Sequence, residues 1–124
     1  YQSKNVVAGA DADKQDYLNK ADIVLNTGAA GIQLMSDENI QMSSNLKICA
    51  DTNAVPPSGI AGVDVMDSGK IMEKSPNKCR GIGALAIGNV KYKSQHECLK
   101  LMYTSDDPVY LDFEDAFKFA QKSV

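Results

Sequence analysis

The sequence is short of the residues that would make it a metal, membrane or nucleic-acid protein. It has one histidine and three cysteines, Cys49, Cys79 and Cys98, far apart and with no C-x-x-C pair. A structural zinc site needs such ligands at close spacing, so no metal is expected. No basic cluster stands out and the net charge is −3 at pH 7, which argues against a nucleic-acid partner. No run approaches the roughly 18 apolar residues of a membrane-spanning helix, and no signal peptide is visible. Internal repeats and low-complexity stretches are lacking too. The first residue is Tyr1 rather than a methionine, so a fragment or a processed piece is expected. What is present is 124 residues, 44% hydrophobic and 23% charged, about one globular domain. With reduced thiols, an intracellular, cytoplasmic setting is expected. Cys49 in an apolar run and Cys98 on an apolar helix face would act as small hydrophobes.

The most informative stretch is Leu46–Asp64, LKICADTNAVPPSGIAGVD. Leu46–Ala50 reads as a buried strand, followed at once by Asp51, Asn53, Pro56-Pro57, Gly59 and Gly62. Two prolines fix φ and remove backbone donors, and two glycines admit close approach of other groups. A strand ending in a rigid polar loop is where α/β sheets build ligand sites, although a plain surface turn has the same composition. A second apolar run, Asp22–Asn26, is too short for a helix and reads as a parallel strand covered on both faces. It ends in the small-residue loop Thr27–Gly31.

Elsewhere, Asn5–Ala8 is a short strand candidate. Asp11–Lys20 reads as a helix with Asp13 placed to cap it. A short helix begins at Ser36 or Asp37, with Ile40 and Met42 available for packing. Met66–Arg80 is polar and reads as a surface excursion. Gly81–Lys93, GIGALAIGNVKYK, reads as a strand interrupted by Gly83 and Gly88. Ser94-x-x-Glu97 has the form of a capping box, starting a helix to about Tyr103. Asp106-Asp107-Pro108 breaks it, and Asp112 caps a last helix whose Phe113, Ala116, Phe117 and Ala120 form an apolar stripe. The carboxylates from Asp106 to Asp115 read as a solvated capping cluster, and His96 as structural or exposed.

This alternation predicts α/β, a doubly wound parallel sheet with right-handed crossovers. Three strand ends, at TGAAG, DTNAVPPSGIAG and GNVK, are expected to share one cleft.

Three segments, DIVLNTGAAGIQL, ICADTNAVPPSGIAGVD and GALAIGNVKYK, resemble in order and spacing the second half of the NADP-dependent methylene-tetrahydromethanopterin dehydrogenases. That family includes methylene-tetrahydrofolate dehydrogenases of methylotrophs, and the resemblance runs from about Asn5 to the C-terminus. It implies that residues 1–124 are the C-terminal portion of a Rossmann NADP-binding domain, with 106–124 a terminal capping helix. It also implies hydride transfer between a pterin one-carbon adduct and NADP. The first βαβ unit is missing, because no G-x-G-x-x-G follows a first strand and no arginine follows a second. Asn5–Ala8 and Asp22–Asn26 would then be strands 3 and 4 of the usual order, leaving an apolar strand edge to be filled. A second copy, a complementing N-terminal segment, or Asn5–Ala8 moving inward could fill it.

By the resemblance, Thr27, Gly28 and Ala29 pass under the nicotinamide side of NADP, with backbone N–H groups facing ribose or phosphate. Asp51 and Asn53 either hydrogen-bond cofactor or pterin, or cap their own loop. The prolines and glycines shape that loop, and Asp64 anchors its end. Lys91, at the mouth of the Gly81–Val90 strand, aligns with a family lysine. Hydride transfer needs no general base, so Lys91 is a cofactor-binding and positioning residue with a weak claim to catalysis. Two other readings are a non-catalytic split or decayed half that binds a partner, and a shikimate-type dehydrogenase, against which the proline loop speaks.

Overall fold

The computed structural model describes residues 5–9 and 14–124. Two compact units emerge, Tyr1–Leu85 and Ala86–Val124. The first holds a four-stranded sheet built from β1 (Ile23–Asn26), β2 (Ile48–Asp51), β3 (Ser68–Ile71) and β4 (Arg80–Ile82), with α1 (Lys14–Leu18) and α2 (Asp37–Met42). The strand order is β1-β2-β4-β3. β1, β2 and β4 run parallel, and β3 is antiparallel to β4. This is an α/β fold, a partial Rossmann-like sheet with a mixed rather than all-parallel edge. α3 (Ala84–Thr104) leaves the sheet, and α4 (Phe113–Gln121) follows it in the second unit.

The core lies on the face of the sheet that carries Val24 and Cys49. There Leu18, Met35, Ile40, Leu46, Ile60, Val63, Met72 and Cys79 form one cluster with Cys49, and Ala21 and Val24 pack against it. α2 contributes Ile40 to this core because Ser36 caps it: the Ser36 hydroxyl accepts from Asn39 N while Asn39 Oδ1 accepts from Ser36 N. Such reciprocal caps satisfy orphan donors of a short helix. Met42, by contrast, is exposed. The other face of β1 is open: Ile23 is 55% and Leu25 70% exposed. Among the described residues of this unit that face has no cover, where a strand covered on both faces is expected.

Other expectations need correction. Asn5–Ala8 is irregular and exposed, not a strand. The helix expected over Asp11–Lys20 is present at Lys14–Leu18, and the proposed cap Asp13 lies outside the described residues. The surface excursion Met66–Arg80 contains β3, an edge strand whose pairing is backbone-made and needs no apolar alternation. It carries a bulge between Ser68 and Lys70, where Gly69 has φ +83°, and the Arg80 guanidinium donates to Gly69 O at 2.8 Å. Bulge, glycine and lysine are common features of a protected edge.

The largest correction is Gly81–Lys93. Only Arg80–Ile82 is strand, and from Ala84 onward the run is helix. Alanine and leucine favour helix, and a 13-residue apolar run exceeds ordinary strand length. Gly83 is the hinge between them, since a side chain there would collide with the Asp64 carbonyl. Ser94 is accordingly inside α3, not at its start; its hydroxyl donates to Val90 O at 2.9 Å, one turn back. The break at Asp106-Asp107-Pro108 and the cap at Asp112 are as expected, with Asp112 accepting from Glu114 N and Asp115 N. Its apolar stripe is not buried: Phe113 and Phe117 are both exposed. Among the described residues no helix is long and apolar enough to cross a membrane.

Candidate functional site

The register of two strands makes the site. Asn26 and Asp51, the last residues of β1 and β2, are direct partners across the parallel pair. Their side chains therefore share a face, and both are buried. Asn26 Nδ2 donates to Asp51 Oδ1 at 2.7 Å, and Asn26 Oδ1 accepts from Gly28 N at 3.1 Å. Asp51 Oδ1 also accepts from Asn53 N at 3.0 Å, while Oδ2 accepts from Ile60 N at 3.0 Å. A buried carboxylate is tolerated only when its lone pairs are met in this way. The carboxylate closes its own loop at both ends, from Asn53 to Ile60.

Asn53 continues the pattern. Its Oδ1 accepts from Val55 N at 2.9 Å and Gly31 N at 3.3 Å, and its Nδ2 donates to Pro57 O at 2.9 Å. Thr52 ties back to β1, with N and Oγ1 donating to Asn26 O at 3.1 and 2.9 Å. Gly59 must be glycine because a Cβ there would collide with the Asn26 amide. Its carbonyl accepts from Leu34 N and Met35 N at 2.8 and 3.0 Å, fastening the loop exit to the segment after Gly31. Beyond it, Asp64 Oδ1 accepts from Met66 N at 2.9 Å, so Asp64 does hold the end of the loop.

Thr27–Gly31 and Asp51–Gly59 thus form one rim at the carboxyl ends of two adjacent strands. The third strand end there is Ile82–Gly83, where Gly83 N donates to Asp67 O at 2.8 Å. It is not GNVK. Lys91 is exposed on α3, in the second unit, and not at the mouth of a strand. The hydrogen bonds of Asp51 and Asn53 close their own loop, each side-chain oxygen accepting from at least one protein donor. The N–H of Gly28 turns inward to Asn26, and that of Gly31 turns to Asn53. At those two positions the backbone donors are taken up by side chains of the protein. An Asx side chain competing for nearby N–H groups is the physical reason. Facing outward are Thr27, Ala29, Ala30, Ala54 and Val55, all exposed.

The thiols are core groups. Cys49 and Cys79 are buried with Sγ atoms 3.5 Å apart. Burial raises both thiol pKa values above their ordinary range, and for Cys49 the neighbouring Cys79 adds to the rise. Groups held protonated in this way are unreactive. Cys98 is half-buried on α3. His96 is exposed and stacks on Tyr92, with ring centroids 6.3 Å apart. The Asp106–Asp115 carboxylates include a helix cap and one ion pair, Asp115 with Lys118 at 3.1 Å.

No family model matches the chain. Two curated relatives do. The NAD(P)-dependent methylenetetrahydromethanopterin dehydrogenase of Methylorubrum extorquens is 41% identical over 103 residues, covering 83% of this chain and 34% of the relative. The bifunctional protein MdtA of the same organism is 35% identical over 112 residues, covering 90% of this chain and 37% of that protein. This chain belongs to the methylenetetrahydromethanopterin dehydrogenase family. It spans about a third of the length of the relatives it matches.

Asn26 is the residue that sequence reasoning missed. The signal was available: an Asx residue ending an apolar run, five-and-twenty positions before an aspartate ending the next one. Only the register shows that the two meet.

Proposed function

We propose that this chain forms the nicotinamide side of a dinucleotide cleft in an oxidoreductase. That enzyme moves a hydride between methylene-tetrahydromethanopterin, or methylene-tetrahydrofolate, and NADP. The observation that carries the reading is the joined rim at the carboxyl ends of β1 and β2, the edge where open α/β sheets bind ligands. Its outer surface fits such a group. Thr27, Ala29 and Ala30 on one loop and Ala54 and Val55 on the other are small or apolar and exposed, a low wall against which a flat ring can lie. A Cβ on Gly28 would meet a Leu34 methyl and crowd Asn26 Oδ1. Asp51 and Asn53 serve by holding the wall rather than by reaching over it.

When bound, the dinucleotide supplies the hydride acceptor. The chain's own contribution is placement, and hydride transfer of this kind needs no general base. Lys91 enters on the family resemblance alone, as a residue that contacts the cofactor or tunes the charge near it. The test is turnover by the protein that carries this chain, with both pterins and with NADP and NAD. NADP reduction with a methylene-pterin is expected; a natively folded protein inert toward all combinations overturns the reading. Lys91→Ala should lower rate or cofactor affinity while leaving stability nearly unchanged.

A second reading has its own observation. Among the described residues the outer edge of β1 has no strand partner, and Ile23–Asn26 carries neither charge nor proline. Unprotected edges of this kind pair with other polypeptide. A complementing N-terminal segment or a second copy would fill it, the latter giving a homo-oligomer, and a split half could act through that edge without catalysis. Calorimetry with NADP separates the two: binding at micromolar level favours the cleft, and none, together with self-association in size-exclusion chromatography, favours the module.

A further inference from the structure

We propose that Asn26 is the positioning residue of this rim, coupling two loops far apart in sequence so that they open or hold together. The inference rests on the reading of the rim as a cofactor site, but the coupling itself can be measured without any ligand. The argument is one of connectivity. The first loop, Thr27–Gly31, is tied to its strand by Gly28 N donating to Asn26 Oδ1. The second loop is closed by Asp51, which holds Asn53 N on one oxygen and Ile60 N on the other. Two side-chain bonds join these systems: the short, buried one from Asn26 Nδ2 to Asp51 Oδ1 at 2.7 Å, and a longer, part-buried one from Gly31 N to Asn53 Oδ1 at 3.3 Å.

A neutral amide is the group that suits this place. It offers an acceptor to Gly28 and a donor to the carboxylate at once, from two separate atoms, whereas an ionised carboxylate has no donor and a hydroxyl would have to serve both partners from a single oxygen. The amide is also clamped sterically. Gly59 brings the backbone of the proline loop onto it so closely that no Cβ fits between. A displacement of Asn26 therefore shifts Gly28 on one side and both Gly59 and Asp51 on the other. In the cofactor reading, the two walls that meet a flat ring would be spaced chiefly by this buried side chain, with the longer Gly31–Asn53 bond beside it.

The experiment is native-state amide hydrogen exchange on the protein carrying this chain and on its Asn26→Ala variant, with NADP titrated into both. Loss of coupling speeds exchange at Gly28 by about tenfold or more. It also speeds exchange at Asn53 and Ile60, in the loop whose direct bonds to Asp51 are untouched, and NADP affinity falls by about tenfold. If Gly28 alone responds, Asn26 merely caps its own loop and the proposal is overturned. It is equally overturned if both loops loosen while wild type and variant bind NADP alike. Should wild type bind no NADP at all, the cofactor reading fails, and the exchange at Asn53 and Ile60 still decides the coupling. Asn26→Ser covers the case in which the alanine variant does not fold. A serine keeps an acceptor for Gly28 N but cannot bridge to Asp51, so it should spare Gly28 and loosen Asn53 and Ile60.

Discussion

The two units use the same kinds of residue to different ends. Up to Leu85, apolar side chains from two helices, two strands and the proline-loop exit converge in one buried cluster. From Ala86 onward, Ser94 alone among the described residues is buried, while Leu99, Met102, Tyr103, Phe113 and Phe117 are exposed. The first unit is held by burial and by the Asn26–Asp51 tie. The second is held by helix hydrogen bonds, by the Asp112 cap and by the Asp115–Lys118 pair, which lowers the carboxyl pKa and raises that of the lysine. Apolar content is thus a poor guide to stability; what counts is whether the faces meet.

Substitutions can break this contrast. Leu46 is fully buried, and Leu46→Ala should lower unfolding free energy by about 2–5 kcal/mol in denaturant titration. Gly59→Ala comes next, at about 2–3 kcal/mol, because the new methyl must displace the Asn26 amide and leave a buried carboxylate short of a donor. That variant should also expose Gly28 N to exchange. Asp112→Ala removes the α4 cap and should cost about 1 kcal/mol of helix stability, read as lost helicity in residues 113–121 by NMR. Phe117→Ala, at an exposed site, should change unfolding free energy by under about 0.5 kcal/mol. A cost comparable to that of Leu46→Ala would show that the α4 stripe is covered in the working protein.

A pH series sharpens the same comparison. Cys49 and Cys79 have folded pKa values raised by burial. Their contribution is fully present below the ordinary thiol pKa, near 9, and is lost as pH rises above it, when the unfolded chain ionises first. Each thiol should add a loss of about 1.4 kcal/mol per pH unit there. Cys49→Ala should flatten that alkaline limb.

Much of the first unit was legible. Asp22–Asn26 and Leu46–Ala50 are short, apolar and punctuated, and they are strands to within a residue or two. Ser36 and Asp112 are Asx and hydroxyl caps in their usual setting, which is local chemistry. The proline loop at a strand end was legible as well, and so were the two roles open to Asp51, contact with a ligand or closure of its own loop. What escaped depends on partners distant in sequence. β3 is a strand because β4 pairs with it, and Ser68–Ile71 has no pattern of its own. Gly81–Lys93 carries glycines that suggest a broken strand, but Gly83 answers to the Asp64 carbonyl, and Ala84 onward follows helix propensity. Asn26 looked like an ordinary strand end until register placed it opposite Asp51.

The most direct test of the account is an NMR titration of the protein carrying this chain with NADP, following backbone amides residue by residue. The account predicts that shifts concentrate at Thr27–Gly31 and at Thr52–Val55, the two walls of one rim. Shifts confined elsewhere, or saturating NADP with both loops unmoved, would contradict it.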